Sequence, residues 1–465
     1  MKLKQYIKLF LVFTMNAIGI GQATDKPNII IILLDDLGYN DVGFNGCKDI
    51  PTPAIDKIAA NGVKFTSGYV SYAVCGPSRA GLITGKYQDR FGFSKNPLSA
   101  PNDPNMGLPL EEETIGAYLQ KANYKTGIIG KWHLGTHESL VPNNRGFDEF
   151  FGFLGGGHQY FPELLVLEDE FDSKSQFDNY KTKLLKNKTR VVEKEYLTDA
   201  FSREALSFVR KHHKQPFFLF LSYNAPHTPL QATEKYLSRF DHILDIKRKT
   251  YAAMVSAVDD GVDQILNMLK DLEIEENTII FFLSDNGGPT SDNASDNRPL
   301  RGNKGDFYEG GIRVPFAMQW KNTLPAGMIY ENPIISLDIF GTIAGILNIK
   351  TKSTLDGVNL IPFLLNTSKQ PPHHALYWRN FMAGKTAIRT LDHKLIHDKS
   401  KSSLFKIVED ISETTNKFES GPSTTKSLLE LIDGWKINLV EPKFMGLSED
   451  KEYNLQHPNR FVRNN

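Results

Sequence analysis

Three carboxylates and one amide follow two apolar runs of the sequence, residues 28–34 and 278–283. These polar residues are Asp35, Asp36, Asp285 and Asn286. Such apolar, β-branched runs are typical of buried parallel strands, and ligands gather beyond the carboxyl ends of those strands. Buried neighbouring carboxylates repel each other unless a cation compensates, so the four side chains predict an all-oxygen site for Ca²⁺ or Mg²⁺ rather than zinc. Asp35 and Asp36 alone fit a helix-capping turn equally well, but the second pair favours the metal.

Five basic or titratable side chains follow other apolar runs or a cysteine-containing motif. They are Arg79, Lys131, His133, His227 and Lys304. Taken singly, a lysine or histidine is more often solvated or satisfied within the core than functional. Their shared placement favours one cationic cluster beside the predicted metal. The formal net charge of the chain is zero, so bulk electrostatics indicates no nucleic-acid partner, and a local cluster must supply any attraction for an anionic substrate.

The cysteine-containing motif is the stretch CGPSRAGLITG, residues 75–85. It resembles the signature of the type I sulfatases. In that family the cysteine is oxidised after translation to formylglycine, whose hydrate is the nucleophile. The resemblance therefore implies a modified Cys75 and a formylglycine-generating maturation enzyme as a partner of the unfolded chain. The alternative is an ordinary buried Cys75 before a helix, with Pro77 in its first turn.

The resemblance covers nearly the whole chain, because the blocks at 35–36, 75–85, 131–133, 225–227, 285–286 and 304 occur in the family order. It implies that a Ca²⁺ ion, with Mg²⁺ the less favoured choice, is held by the following residues: Asp35, Asp36, Asp285, Asn286 and the modified Cys75. It also implies that Lys131 and Lys304 bind the sulfate oxygens. We expect Arg79 to hold the modified residue in register.

Hydrolysis of a sulfate ester spreads negative charge over oxygens and expels an alkoxide. A divalent cation and lysines would stabilise the charge on the oxygens by several kcal/mol. We expect His227 to protonate the leaving alkoxide as a general acid, a role typically worth ~10²–10⁴-fold in rate. We expect His133 to deprotonate the second hydroxyl of the formylglycine hydrate, so that sulfate leaves and the aldehyde is regenerated.

Alternating strand and helix patterns predict an α/β fold with a mostly parallel sheet covered on both faces. Further strands are predicted at 126–129 and 216–221, and helices at 53–61, 114–122, 197–211 and 247–272. After residue 370 the pattern changes to four short strands, at 375–378, 385–390, 393–397 and 404–408, and a helix at 425–436. We therefore predict a catalytic domain at 24–370 and a small α+β subdomain at 371–465. The family resemblance implies the alkaline-phosphatase-like α/β sandwich.

The first 23 residues match an export signal, with three lysines before residue 9, an apolar run at 9–20 and small residues at 21–23. This predicts a cleaved signal peptide and a periplasmic or secreted protein. The apolar run is short for a bilayer, and no later segment is long and apolar enough to span one. Only Cys47 and Cys75 occur in the chain, so conversion of Cys75 leaves no disulfide.

The loop at 155–160, GGGHQY, resembles a loop that approaches the sugar in polysaccharide sulfatases. Its glycines permit close backbone approach, and we expect His158 and Tyr160 to bond to and stack on a pyranose. A plain flexible connector is the alternative. The block at 377–380 is expected to add a further wall. Export and these aromatics favour a carbohydrate sulfatase that acts on a sulfated algal galactan such as carrageenan, on ulvan or on a glycosaminoglycan.

Two other functions remain open from the sequence. One is a phosphonate monoester or phosphodiester hydrolase, which can share the formylglycine motif. The other is a non-catalytic polysaccharide-binding homologue, against which the complete set of polar residues argues.

Overall fold

The computed structural model describes residues 26–398 and 401–463, and the predicted signal peptide lies outside these ranges. The chain forms a large mixed sheet between two helical layers and a small antiparallel sheet. The strands are β1 Asn28–Leu34, β2 Val63–Phe65, β3 Gly68–Tyr69, β4 Lys125–Lys131, β5 Glu149–Phe153, β6 Leu184–Lys186, β7 Thr189–Val191, β8 Phe217–Ser222, β9 Thr278–Ser284, β10 Phe316–Gln319, β11 Met328–Tyr330, β12 Ile334–Ile335, β13 Leu376–Asn380, β14 Lys385–Arg389, β15 His393–His397 and β16 Ser403–Lys406.

Twelve α-helices are described, together with short 3₁₀ turns in the connections. They are α1 Pro53–Ala60, α2 Cys75–Thr84, α3 Ile115–Lys121, α4 Leu197–His212, α5 Glu234–Leu237, α6 Ile246–Asp271, α7 Thr290–Asn293, α8 Glu309–Ile312, α9 Asp338–Leu347, α10 Ile361–Leu364, α11 Pro422–Lys436 and α12 Asp450–Gln456. The longer predicted helices and strands are confirmed to within about three residues at each end. The short strands β2, β6 and β7 at the margins of the sheet were not predicted, because three-residue strands carry too little periodicity.

The large sheet has the strand order β11-β2-β10-β9-β1-β8-β4-β5-β6-β7. Its five central strands, from β9 to β5 in that order, are parallel. Strand β10 pairs antiparallel with both β9 and β2. Because the central strands are parallel, their carboxyl ends meet at one edge of the sheet. The predicted α/β class with a mostly parallel sheet is confirmed.

The alternation of β1 divides the core into two layers. Ile29, Ile31 and Leu33 face the layer that contains α2, α3 and α9. Ile30 and Ile32 face the opposite layer, which contains α1, α4 and α6. All seven residues of β1 are buried, as expected for a strand covered on both sides.

Strands β13 to β16 form an antiparallel sheet in chain order, and α11 packs on one of its faces. Leu428 and Ile432 of α11 contact Leu395 of β15 in this small core. The other face carries Trp378, which packs with Tyr69 of β3 and joins the small sheet to the rest of the molecule. The predicted C-terminal antiparallel sheet with one helix is confirmed.

Candidate active site

The metal-ligand candidates converge at the carboxyl edge of the central strands. Asp35 follows β1, and Asp285 follows β9 directly. One oxygen from each of Asp35, Asp36 and Asp285 and the Cys75 sulfur all lie within 4.8 Å of one another, and all four residues are buried. The pairing of β1 with β9 sets this geometry, because Leu34 is in register with Ser284. The residue that follows each strand therefore reaches the same point.

The donor set fits a hard divalent cation. Asp35 Oδ1 and Asn286 Oδ1 are buried and have no hydrogen-bond partner among the described residues. Buried acceptors of this kind are costly unless something satisfies them. Carboxylate and amide oxygens are the ligands that Ca²⁺ and Mg²⁺ prefer. Residues 35, 36, 285 and 286 thus provide oxygen ligands that fit a hard divalent cation.

Asp36 has a left-handed backbone, with φ 65°, and this turn brings its carboxylate towards the others. Its Oδ1 accepts a hydrogen bond from Asn286 Nδ2 at 2.6 Å, and its Oδ2 accepts one from Lys304 Nζ at 2.8 Å. Burial raises the pKa of Asp36, but Lys304 and His227 outweigh burial and hold it at about 2. Asp285 behaves in the opposite way, because burial and the neighbouring Asp35 raise its pKa to about 7 despite Arg79.

Three cations balance the three carboxylates. Arg79 Nε donates to Asp285 Oδ2 at 2.8 Å, and Lys131 Nζ donates to Asp35 Oδ2. With Lys304 on Asp36, the formal charges of these six side chains cancel. A bound divalent cation would make the cluster net positive, which favours an anionic ligand. Arg79 contacts Asp285 and, through Nη1, Ser222 Oγ, so it braces the carboxylates rather than facing the cavity.

Cys75 is the first residue of α2 and is 1% exposed. The residue before it, Val74, has an extended backbone and gives the helix no side-chain cap. Asn96 contributes from outside the helix, since its Oδ1 accepts a hydrogen bond from Gly76 N at 2.8 Å. Burial raises the pKa of the Cys75 thiol to about 12, although Lys131 and Lys304 oppose the shift.

The two histidines differ in their surroundings. His227 Nδ1 lies 2.6 Å from Thr228 O, which fixes the proton of the neutral ring on Nδ1 and directs Nε2 towards Asp36, 3.6 Å away. Burial, with Lys304 and Lys131, lowers the pKa of His227 to about 3. A bound anionic ester would add negative charge beside the ring and raise this pKa. Negative charge at this position therefore favours the protonated form of the ring.

His133 is buried with a left-handed backbone, φ 59°, and its Nδ1 has no hydrogen-bond partner among the described residues. Burial and the cations Lys131 and Arg79 lower its pKa well below the usual value. The imidazole is therefore neutral near pH 7, as a proton acceptor must be. A Cβ at Gly156 would lie 2.7 Å from His133 Nε2, so only glycine allows this loop to pass so close.

A cavity of about 170 Å³ opens onto Cys75. Besides Cys75, its lining residues are Asn96, Pro97, His133, Gly156, Gln176, Phe177, Tyr180, His227, Lys304 and Leu447. This volume is below the roughly 300–1,000 Å³ of typical drug-sized pockets, so it suits a sulfate-sized group with part of one ring. A larger open groove of about 750 Å³ lies around Arg248 and Asn303, but it contains none of the predicted catalytic residues.

His158 does not reach the cavity, so its predicted substrate contact is wrong. It is 1% exposed and stacks on Phe153. Its ring nitrogens face two backbone carbonyls, Gln159 O at 3.0 Å and Thr182 O at 2.9 Å. Burial lowers its pKa to about 4, so the ring is a neutral structural group. The ring is thus held inside the protein by two backbone carbonyls and by stacking on Phe153.

Tyr160 and the block at 377–380 also lie elsewhere than expected. Tyr160 is buried, and its hydroxyl lies 2.8 Å from His227 O, so it supports the turn that carries His227. Trp378 is fully buried, and its Nε1 donates to Val70 O at 2.8 Å. Tyr377 stacks on Trp435 in the small core instead of forming a wall of the site.

The sequence reasoning missed several residues at the site. Ser222 ends β8, and its Oγ donates to Lys131 O at 2.7 Å and accepts from Arg79. It could have been found, because it also stands at a strand end. Phe177, Tyr180 and Leu447 come from irregular segments that carry no periodic signal.

The fold and the site together define an α/β protein in which acidic strand ends, a cationic cluster and a buried cysteine share one edge of a mostly parallel sheet. Residues 27–349 match the Sulfatase family, and the chain belongs to this family of sulfuric ester hydrolases. The chain is 38% identical over 299 residues to Arylsulfatase J of Mus musculus, covering 63% of this chain and 47% of that protein. It is 32% identical over 375 residues to N-acetylgalactosamine-6-sulfatase of Canis lupus familiaris, covering 77% and 70%.

Among solved structures, the chain resembles Ps i-CgsB in complex with k-i-k-neocarrahexaose, with a TM-score of 0.86 and 39% sequence identity. The match covers 94% of this chain and 100% of that chain. The predicted family and enzyme class are therefore confirmed. Of the two curated relatives above, this chain spans about half of one and about two thirds of the other.

Proposed function

We propose that this protein removes sulfate esters from an oligosaccharide or polysaccharide of the carrageenan type. The observation that carries the proposal is the convergence of the buried Cys75 with three carboxylates, beside a cavity that Cys75, Lys304 and two histidines line. The likeness to Ps i-CgsB, solved with a neocarrahexaose, supports the carbohydrate class. A sulfated glycan is long and polar, and a cavity that admits one substituted ring end suits such a chain better than a compact apolar ester.

Residues 35, 36, 285 and 286 would hold a Ca²⁺ ion together with the side chain at position 75. When bound, this ion would stabilise negative charge on the sulfate oxygens. Formylglycine at position 75 would supply a hydrate as nucleophile. The orphaned oxygens of Asp35 and Asn286 support the cation, and the position of Cys75 at the start of α2 supports the modification.

The chain's own residues divide the remaining work. Lys304 lines the cavity and would bind a sulfate oxygen. Lys131 was also expected to bind sulfate, but it is 0% exposed and does not line the cavity, so its role would be to neutralise Asp35. Nε2 of His227 would deliver a proton to the departing sugar oxygen, because Thr228 holds the other ring nitrogen. His133, a neutral ring with a free nitrogen, would accept a proton beside position 75. Arg79 would keep Asp285 in place.

The rim of the cavity supports a sugar substrate. Phe177 is 58% exposed although it is a large apolar side chain, and its ring packs edge-on against Tyr180. Exposed aromatic faces beside a polar cavity are suited to contact the apolar face of a pyranose. Leu447, which is 41% exposed, extends this rim from the C-terminal part of the chain.

The proposed route is export through a cleaved signal peptide to the periplasm or the medium, with a maturation enzyme acting on the unfolded chain. The lysines at the N-terminus and the apolar run after them support this localisation. None of the helices among the described residues is long and apolar enough to cross a membrane. The region that follows residue 370 is proposed to be the separate subdomain.

The test is release of sulfate from a panel of defined oligosaccharides, using protein co-expressed with a formylglycine-generating enzyme. The panel contains carrageenan, ulvan and glycosaminoglycan fragments, with an aryl sulfate and a phosphodiester as references. We expect sulfate release from a carrageenan oligosaccharide and loss of turnover in Cys75→Ala, whose circular dichroism and melting stay near wild type. Faster hydrolysis of the phosphodiester, or activity retained in Cys75→Ala, would overturn the proposal.

A further inference from the structure

Lys304 lies on an irregular loop, residues 301–309, rather than on a strand or a long helix. Its Nζ donates to Asp36 Oδ2 at 2.8 Å, and its side chain lines the cavity. The backbone bonds of the loop to the core include Lys304 N to Gly288 O at 3.4 Å and Gly305 N to Ala73 O at 2.8 Å. Residues 301–306 are exposed or half-buried, so the position of this part of the loop depends on a few contacts, including those at its ends.

Glu413 holds both ends of this loop. At the start of the loop, Arg301 Nη1 donates to Glu413 O at 2.8 Å. At its end, Glu309 N donates to Glu413 Oε2 at 2.7 Å. Glu413 comes from the C-terminal part of the chain, after β16, and is 0% exposed with a left-handed backbone, φ 52°. One residue of the small subdomain therefore clamps the loop that carries Lys304.

The Glu413 clamp is anchored in a buried network of charges. Lys394 of β15 lies 2.8 Å from Glu309 Oε1 and 3.0 Å from Glu413 Oε1. Glu309 is bound on its other oxygen by Arg313 at 3.1 Å and by the hydroxyl of Tyr69 at 2.7 Å. The side chains of the two ion pairs made by Lys394 are 0% exposed. Removing one buried partner leaves a charge uncompensated, so the network holds its members in one arrangement.

The helix that follows the loop also touches the metal candidates. Gly287 N, next to Asn286, donates to Gly311 O of α8 at 3.1 Å. A Cβ at Gly287 would lie 1.8 Å from Gly310 O, so the two backbones are in direct contact. A displacement of Glu309 would thus shift the backbone near both Lys304 and Asn286.

We infer that Glu413 and Lys394 are positioning residues, which act from the C-terminal sheet to fix the loop 301–309 and thereby Lys304. The inference rests on the proposed binding of sulfate by Lys304. Through this network, the small subdomain supports the reaction although Glu413 and Lys394 do not contact the substrate. Loss of the network would make Lys304 more mobile and would therefore weaken binding of the sulfated substrate.

Two measurements test the inference on the matured enzyme. Hydrogen exchange of residues 302–309 should be faster by about tenfold or more in Glu413→Gln and Glu413→Ala, with β1 and β9 unchanged. KM for the sulfated oligosaccharide should rise about tenfold in Glu413→Ala, with kcat affected less. In a Lys304→Ala background, the added Glu413→Ala change should have less than about a twofold effect, because both changes remove the same interaction.

Glu409→Gln is the matched control, since Glu409 pairs with Lys406 on the surface of the same subdomain. It should leave exchange and KM at wild-type values. If Glu413→Ala does not fold, Glu413→Gln and Lys394→Met carry the comparison. Unchanged exchange of the loop, or effects of Glu413→Ala and Lys304→Ala that multiply, would overturn the inference. Faster exchange in a protein that releases no sulfate would instead locate the failure in the proposed function.

Discussion

The ring of His227 is fixed by a hydrogen bond at Nδ1, whereas Nε2 has only a longer contact, 3.6 Å from Asp36 Oδ2. Thr228 O occupies the side of Nδ1, and the backbone of His227 is itself held by the hydroxyl of Tyr160. Proton transfer therefore has one available position, Nε2. Among the residues that the structure describes, the neighbouring His133 has no such partner at Nδ1, so the two rings differ in their hydrogen-bonding surroundings.

The first prediction concerns His227→Ala. Its kcat/KM for a sugar sulfate should fall by ~10²–10⁴-fold, because an alkoxide leaves poorly without a proton donor. The fall should be much smaller for an aryl sulfate, whose phenolate needs little protonation. The measurement compares kcat/KM for both substrates, with His213→Ala as a control on a half-buried histidine outside the site, whose Nδ1 lies 2.8 Å from Arg210 O. An equal loss on both substrates would contradict the role of general acid.

At the scale of the elements, the position of a residue at a strand end predicted its place in the site better than its residue type did. Asp35, Lys131, His227 and Asp285 were found from the rule that parallel strands end at one edge, and the register of β1 with β8 and β9 confirms that edge. Asn96 and Phe177 could not be found in this way, because their segments are held by long-range side-chain bonds. Such a bond, for example the one that Gly76 N donates to Asn96 Oδ1, leaves no local pattern in the sequence.

His158 shows the limit of composition as a guide. A glycine-rich loop with a histidine fits both a sugar contact and a packed interior turn. The outcome depends on the carbonyls of Gln159 and Thr182, which lie beside the ring only after folding. Burial of the ring against Phe153 then decides the structural role.

The second prediction concerns the start of α9. His373 Nε2 lies 2.8 Å from Asp338 Oδ1, and Asp338 is the first residue of that helix. Burial lowers the pKa of His373, but Asp338 outweighs burial and raises it above the usual value. The folded state then binds the proton more tightly than the unfolded chain. The stabilisation is therefore complete below pH ~6.5, the ordinary histidine pKa, and is lost as pH rises through the higher folded pKa.

His373→Gln should lower the unfolding free energy by about 1–3 kcal/mol below pH 6 and by less above pH 8. The measurement is the difference in Tm between variant and wild type across pH 5 to 9. His374→Gln is the control, since His374 is the exposed neighbour in sequence. A difference in Tm that does not change with pH would contradict the assignment of a charged pair.

At the scale of the whole molecule, the carboxyl edge of the sheet concentrates buried charge. Asp35, Asp36 and Asp285 are each at most 2% exposed, and three cations compensate them. Arranging so many charges away from water is costly unless each is paired. A dication shared by the carboxylates would relieve their mutual repulsion and couple the site to global stability.

The third prediction is that chelation lowers both activity and stability. At 100 times Kd, a bound ion stabilises the native state by about 2.7 kcal/mol, so its removal should lower Tm by roughly 3 °C in a chain of this length. Ca²⁺ should restore Tm and sulfate release more fully than Mg²⁺. The measurement is a thermal scan with and without chelator. Asp285→Asn should show a smaller response to the chelator, and a Tm indifferent to chelation in the wild type would contradict the metal site.

Two walls of the cavity come from segments far apart in the chain, at Phe177 and at Leu447, while Asp35, Asp285 and Cys75 stand at strand ends and at the start of α2. Selectivity and reactivity are therefore built on separable parts of the polypeptide. Insertions or exchanges in the outer segments could retune which glycan enters and leave the sulfur chemistry untouched. An engineer seeking a new sulfated substrate should vary those two segments first and keep Asn96, which accepts a hydrogen bond from Gly76 N beside Cys75.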